Sequence, residues 1–260
     1  MFIKGLILDD KMGQDGFENE NLMLEALNNK KFSELNDNLK EMVTEIDKNI
    51  SPNTILKAHK KAGVNKTDLI IEVNGLDYNI SIKKGTGNSV HQEKVEEFID
   101  FLGEKYFISE ELANDIRFFI WGDGTLDGTG DVSDRLSATQ LKNKYPLIIR
   151  NLKKFFYIHK RDLIERFVIK GSKSNSSPDF LYYGTPEKGI IVKSKHVLDW
   201  LADDENEKSS SPIPIGRLTF QAWNRNINGG DKSENKRGVI QLKWSSVGKD
   251  LPIIYEEAKK

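Results

Sequence analysis

Apolar residues recur at three- and four-residue steps among charges from Leu22 to Ile46, through Leu24, Leu27, Phe32, Leu35, Leu39, Met42 and Val43. That period predicts helix across 14–47. Ser51-Pro52 reads as the cap and first residue of a further helix carrying Ile55, Leu56 and Ala58 and stopping at Gly63. The period then drops to two. Residues 67–73 and 76–83 flank Asn74-Gly75, the strongest short hairpin signal a sequence can carry. A glycine-rich turn at 84–89 leads into a helix from Ser89, with Val90, Val95, Phe98, Ile99 and Leu102 as its apolar stripe. Ile116 to Trp121 reads as a buried strand, and Gly122 to Asp134 as a loop and boundary. Pro146 to Phe167 reads as one long amphipathic helix. Short strands at 178–183 and 189–192, a helix at 196–201 and a polar loop at 203–212 follow. Two strands, Arg217 to Arg225 and Gly238 to Trp244, are joined by a long polar loop. No internal repeat is visible. The predicted class is mixed α/β (α+β), a mixed central sheet flanked by helices, with a second, β-rich part.

Composition narrows this reading. With 37% hydrophobic and 30% charged residues, the 260-residue chain has the balance of a soluble globular protein. Without cysteine there is no disulfide, thiolate zinc site or cysteine nucleophile, and a reducing cytoplasm fits. Four dispersed histidines argue against zinc. The N-terminal apolar stretch is too short for a signal peptide, and no run approaches a membrane span.

The net charge of −1 conceals a split. Residues 1–135 hold 16 Lys+Arg against 26 Asp+Glu, and residues 136–260 hold 23 against 14. The expectation is a catalytic region over 1–135 that handles cations and a recognition region over 136–260 that meets a polyanion. Two oppositely charged surfaces docking on each other would give the same split.

The hairpin carries the chemistry. On a strand, Ser81 and Lys83 share one face while Ile80 and Ile82 share the other. Asp68 begins the partner strand, and the helix expected from Ser89 places Gln92, Glu93 and Glu96 near the strand end. An aspartate, a polar oxygen and a lysine beside a helix are the parts of a Mg²⁺-dependent phosphodiester nuclease. A half-exposed hairpin with solvated Asp68 and Lys83 accounts for the same residues. The carboxylates of the loop Asp123–Asp131 lack calcium-loop spacing, and Lys83-Lys84-Gly is not a phosphate-binding loop, since its lysines precede the glycines.

The order helix, TD-strand, SIK-strand, helix, strand resembles the PD-(D/E)xK nuclease core. Thr67 stands where the family has proline, and Ser81 replaces the second acidic residue. The chain is also similar, over nearly its full length, to the small monomeric four-base-cutting restriction endonucleases of the HinP and MspI type. The matching pieces are Lys11-x-Gly-Gln-Asp-Gly-Phe-Glu-Asn-Glu20, Lys66-Thr-Asp68, Asn79-Ile-Ser-Ile-Lys83, Gly216-Arg-Leu-Thr-Phe-Gln221 and Gly238-Val-Ile-Gln-Leu-Lys243. The resemblance implies catalytic residues Glu20, Asp68, Ser81 and Lys83, with Mg²⁺ held by Asp68 and Glu20, or by Glu93 or Glu96 in place of Glu20. It implies one active site per chain, and a DNA methyltransferase as genetic partner.

Double-stranded DNA is the expected partner. Lys84, Asn88 and Gln92 near the hairpin, and Arg217, Lys232, Lys236 and Arg237, are expected DNA contacts. Lys153 and Lys154 on the long helix are expected on phosphates and the 217–237 segment on bases. Gln221, Asn224, Arg225 and Asn226 offer the amide and guanidinium forks that read base edges. A solvated hairpin with two core tryptophans, Trp223 and Trp244, is the other account of this segment. Three functions fit: a sequence-specific Mg²⁺ endonuclease, a DNA-binding protein with a degenerate nuclease core, and a structure-specific nicking or repair nuclease.

Overall fold

The structure is a computed structural model that describes residues 14–61, 65–85, 88–172, 176–208 and 210–260. Along the chain come α1 (Gln14–Leu27), α2 (Asp37–Ile46), β1 (Lys57–Lys60), β2 (Leu69–Val73), β3 (Leu76–Lys83), β4 (Asn88–Lys94), α3 (Val95–Tyr106) and α4 (Glu110–Trp121). There follow α5 (Ala138–Lys144), α6 (Pro146–Ile158), α7 (Lys160–Ile164), β5 (Phe180–Thr185), β6 (Lys188–Lys193) and α8 (Ser194–Ala202). The chain closes with β7 (Pro214–Ile215), β8 (Leu218–Ala222), α9 (Asp231–Glu234), β9 (Val239–Trp244) and α10 (Val247–Ala258). No described helix is long and apolar enough to cross a membrane.

Among the described residues the strands form two sheets, one ordered β1-β2-β3-β5-β6 and one ordered β4-β9-β8-β7. The first is mixed, since β3 and β5 run parallel while its other pairs are antiparallel. The expected mixed α/β class is the one observed. The chain divides into two compact units, each gathered from separated stretches: 1–88, 168–200 and 245–260 in the first, 89–167 and 201–244 in the second. A division at residue 135 coincides with none of the four boundaries. The charge split dissolves with it. The first unit has 20 Lys+Arg against 20 Asp+Glu, and the second 19 against 20. The split belongs to the halves of the sequence, not to the folded units.

In the first unit, Asn74-Gly75 forms the expected turn, both residues at positive φ (52° and 81°), as a two-residue hairpin loop requires. Leu69, Ile71, Val73, Ile80 and Ile82 turn to one face of the sheet and join Met23 and Leu27 of α1 and Leu39, Met42 and Val43 of α2 in the core. In the second unit Phe220 of β8 is ringed by Phe98, Phe119 and Phe156, at centroid separations of 5.8, 6.0 and 4.7 Å.

Five expected elements differ. The helix across 14–47 is interrupted at residues 28–36, where Asn36 caps α2 by accepting from the Leu39 amide. The helix expected after Ser51 is a turn followed by β1, because Ala58 and Lys60 pair with Ile71 and Leu69 and extend the sheet. The helix expected from Ser89 starts only at Val95, and residues 88–94 form β4. The strand expected at 116–121 is the last half of α4. Ala113, Ile116, Phe119 and Ile120 are buried at helical spacing, between the Ser109 cap and the left-handed Gly122. The helix across 146–167 ends at Ile158, turns at His159, and continues as α7 and a π-helical turn over Glu165–Lys170.

Gly184 tests the packing around the first sheet. It sits opposite Gly189 at φ +135°, where a Cβ would overlap the Lys188 carbonyl oxygen, and its own carbonyl is held by the buried Asn19 amide at 2.8 Å. Gly184→Ala is expected to cost about 3 kcal/mol or more in unfolding free energy, from backbone strain plus the overlap. Chemical denaturation measures it.

Candidate active site

Asp68 lies one residue before β2, tied in by its amide donating to the Ile80 carbonyl at 2.9 Å. Its Oδ2 gathers three donors, the Ile82 amide at 2.6 Å, Ser81 Oγ at 3.2 Å and Lys83 Nζ at 3.4 Å. Lys83 Nζ also donates to Ser81 Oγ at 2.7 Å and to the Ile82 carbonyl at 3.1 Å. The two-residue period of β3 does this. Ile80 and Ile82 anchor the strand in the core, and that turns Ser81 and Lys83 to the other face beside Asp68. Ser81 is fully buried, while the Asp68 and Lys83 side chains keep 20% and 23% exposure. Among the described residues no hydrogen bond reaches Asp68 Oδ1. The hairpin thus ends in an ammonium, a hydroxyl and a half-exposed carboxylate with one open oxygen.

Glu20 is on α1, which covers the face carrying Leu69 and Ile71. It pairs with Lys60 at 3.0 Å, and Lys60 Nζ lies 3.7 Å from the Phe17 ring centroid. Lys60 stands opposite Leu69, next to Asp68 in the chain. Glu20 therefore reaches the correct end of the sheet but is held by Lys60. Among the described residues no three His, Cys, Asp or Glu side chains cluster as a cation cage. A small hard cation that keeps most of its waters needs only one or two protein carboxylates. Asp68 with its open Oδ1 suits such a cation, whereas Glu20 lies on the α1 side of the sheet and is paired with Lys60. Glu93 and Glu96 are engaged otherwise. Glu93 is buried on β4 between Arg166 at 2.9 Å and His91 at 3.0 Å, and Glu96 pairs with Arg117 at 2.8 Å. His91, expected at a helix start, is buried on a strand.

The expected DNA contacts divide. Lys84 is half-buried, Gln92 is exposed with its amide on Ser89 Oγ, and Lys153 and Lys154 occupy half-exposed and exposed positions on α6. Arg217, Gln221, Asn224 and Lys236 are at least partly exposed. The side chains of Asn88 and Lys232 lie outside the described residues, as does Lys11 of the N-terminal matching motif. The remaining three are corrected. Arg225 is buried, its guanidinium donating to the Phe119 carbonyl at 2.6 Å, and burial lowers its pKa to about 10. Asn226 is buried at φ 51°, with its amide on the Gly230 carbonyl and Glu234. Arg237 is buried against Asp123 at 2.6 Å. These forks fasten the loop 226–237 from within. Sequence alone cannot separate a fork that faces a groove from one that caps a carbonyl.

Fold and hairpin together define the chain as restriction-endonuclease-like in architecture. It is similar to the crystal structure of the restriction endonuclease MspI in complex with its cognate DNA, with a TM-score of 0.54 and 15% sequence identity over 90% of this chain and 93% of that one. No protein-family model and no curated protein matches the chain.

Proposed function

We propose that the chain is a Mg²⁺-dependent endonuclease that cuts double-stranded DNA at a short sequence, in the manner of a type II restriction enzyme. It would act in the cytoplasm with one active site per chain and a DNA methyltransferase as genetic counterpart. The supporting observation is the convergence of Asp68, Ser81 and Lys83 at the end of β3 in a chain of this fold. Asp68, joined by Glu20, would hold the cation, which when bound acidifies water and offsets charge on the phosphate. Lys83 offers an ammonium to the attacking water or to a non-bridging phosphate oxygen. Its direction is fixed by Ser81 and by the Ile82 carbonyl. Ser81 supplies no charge. It orients Lys83 and ties it to Asp68. In the reaction the water oxygen bonds to phosphorus as one P–O ester bond breaks. The leaving oxygen takes up one proton and departs as a hydroxyl, and the other water proton goes to the new phosphate monoester or to solvent.

A second reading rests on two observations. Ser81 stands in the acidic slot, and Glu20 is already paired, which suits a DNA-binding protein whose core no longer cuts. Incubating supercoiled plasmid with the protein, with and without Mg²⁺, separates the readings. Discrete bands only with Mg²⁺ are expected. Intact plasmid would indicate the degenerate core, and a nicked ladder or smear a structure-specific nuclease.

Phosphate contact is assigned to α6. Lys153→Ala or Lys154→Ala is expected to weaken binding to all duplexes alike. Each is expected to reduce the slope of log affinity against log salt by about one, since each phosphate contact releases about one counterion. Titrations of two unrelated duplexes at several salt concentrations check this.

A further inference from the structure

We propose that the outward face of β8 and β9, centred on the Gln221–Gln241 amide pair and bounded by Trp223, is the surface that reads a base pair of duplex DNA. This rests on the sequence-specific reading above and names the residues that would carry it. Strand alternation generates the face. Leu218, Phe220 and Ala222 of β8 and Ile240, Leu242 and Trp244 of β9 point into the core. Thr219, Gln221 and Trp223 turn the other way, with Lys243 opposite Thr219 and Gln241 opposite Gln221. No acidic residue stands in this row, and Lys243 adds a cation, which suits a polyanion. Of the two tryptophans expected in the core, Trp244 is there and Trp223 is 38% exposed.

Two features make the row more than a solvated sheet face. Gln221 Nε2 donates to Gln241 Oε1 at 2.9 Å, and Gln241 is only 5% exposed, so the bond orients an amide that has little room to turn. That bond leaves a carbonyl on Gln221 and an NH₂ on Gln241, an acceptor and a donor side by side. Adenine alone offers the matching N6 donor and N7 acceptor on its major-groove edge, whereas guanine offers two acceptors there. Beyond the pair, Lys236 Nζ lies 5.2 Å from the Trp223 ring centroid, which places a cation where a phosphate would flank a ring packed against a base or sugar. The adjoining loop is tied down behind this edge. Asn226, Arg135 and Arg237 all bond to Glu234, and Arg237 also bonds to Asp123. Glu234 is thereby offset by two arginines and does not repel the backbone.

The test is selection of the full chain on a randomised duplex pool in Ca²⁺, followed by sequencing. The wild type is expected to enrich a short motif containing an A·T pair. Gln221→Ala and Gln241→Leu should each lose preference at that one pair, with at least about a fivefold fall in affinity for the enriched site and little change on the bulk pool. Trp223→Ala should weaken the enriched site and Trp223→Phe should restore most of it. Gln221 is half-buried, so its substitution tests the idea even if Gln241→Leu misfolds. Both glutamine variants keeping the wild-type motif would overturn the assignment. A folded wild type that enriches no motif would instead overturn the sequence-specific reading, and this assignment with it.

Discussion

Asp68→Asn is expected to lower the single-turnover cleavage rate at least about a hundredfold while leaving fold and Ca²⁺-supported duplex binding close to wild type. The substitution is chosen for what it keeps. An asparagine oxygen still accepts from the Ile82 amide and Ser81 Oγ, which now reach Asp68 Oδ2 at 2.6 and 3.2 Å. Hence the turn into β2 stays closed. What disappears is the negative charge beside Lys83 and the anionic oxygen that would hold the cation. Losing one preorganised group that stabilises developing charge costs about 10²–10³ in rate, and losing a metal anchor adds to that. Unchanged turnover by a folded Asp68→Asn protein would remove this hairpin from the chemistry. A protein that neither folds nor binds would show Asp68 to be a structural residue.

The largest loss of stability is expected at Arg237→Met. The Arg237 and Asp123 side chains are 5% and 0% exposed and meet at 2.6 Å, with further donors from Arg237 to the Gly128 carbonyl and Glu234. Removing the cation strands a buried carboxylate, which costs about 3–5 kcal/mol. For a chain of this size that lowers the melting temperature by roughly 10 °C. The double variant Asp123→Leu with Arg237→Met should recover most of the loss, because replacing both partners by apolar groups is often near neutral. The pH dependence has a definite sign. Burial pushes the Asp123 carboxyl up, but hydrogen bonds from Thr125 and Arg237 outweigh it and hold the carboxyl below its ordinary value of 3.8. A carboxyl lowered by folding adds stability above its unfolded value and loses it as pH falls through the folded one. Acid titration should therefore show a loss of stability below about pH 4 in the wild type, and a shallower one in Arg237→Met.

The hairpin was legible in the sequence because local chemistry dictated it. Asn74-Gly75 permits only a tight turn, and the alternation of Ile80 and Ile82 with Ser81 and Lys83 sets the faces. The 116–121 segment misled because a short apolar run fits a buried strand as well as a helix. The deciding signals lay outside the run, in the Ser109 cap, Glu110-Glu111 and Gly122. Arg225, Asn226 and Arg237 misled for a different reason. Their residue types suit base edges, but tertiary acceptors, the Phe119 carbonyl, Glu234 and Asp123, claimed them first. Those partners lie up to 114 residues away, and no local pattern announces them. A stricter reading of the period of β8 would have separated outward Gln221 and Trp223 from inward Phe220 and Ala222. The two interleaved units could not be read from a linear charge count, since each draws on both halves of the chain.

The most direct test of the active-site assignment compares two adjacent lysines. Lys83 donates to Ser81 and Asp68, whereas Lys84 follows the last residue of β3 and makes no hydrogen bond to either among the described residues. In single-turnover cleavage of plasmid with Mg²⁺, Lys83→Ala should be inactive, with Lys84→Ala within a few-fold of wild type. The reverse order of activities, or full activity from Lys83→Ala, would contradict the assignment.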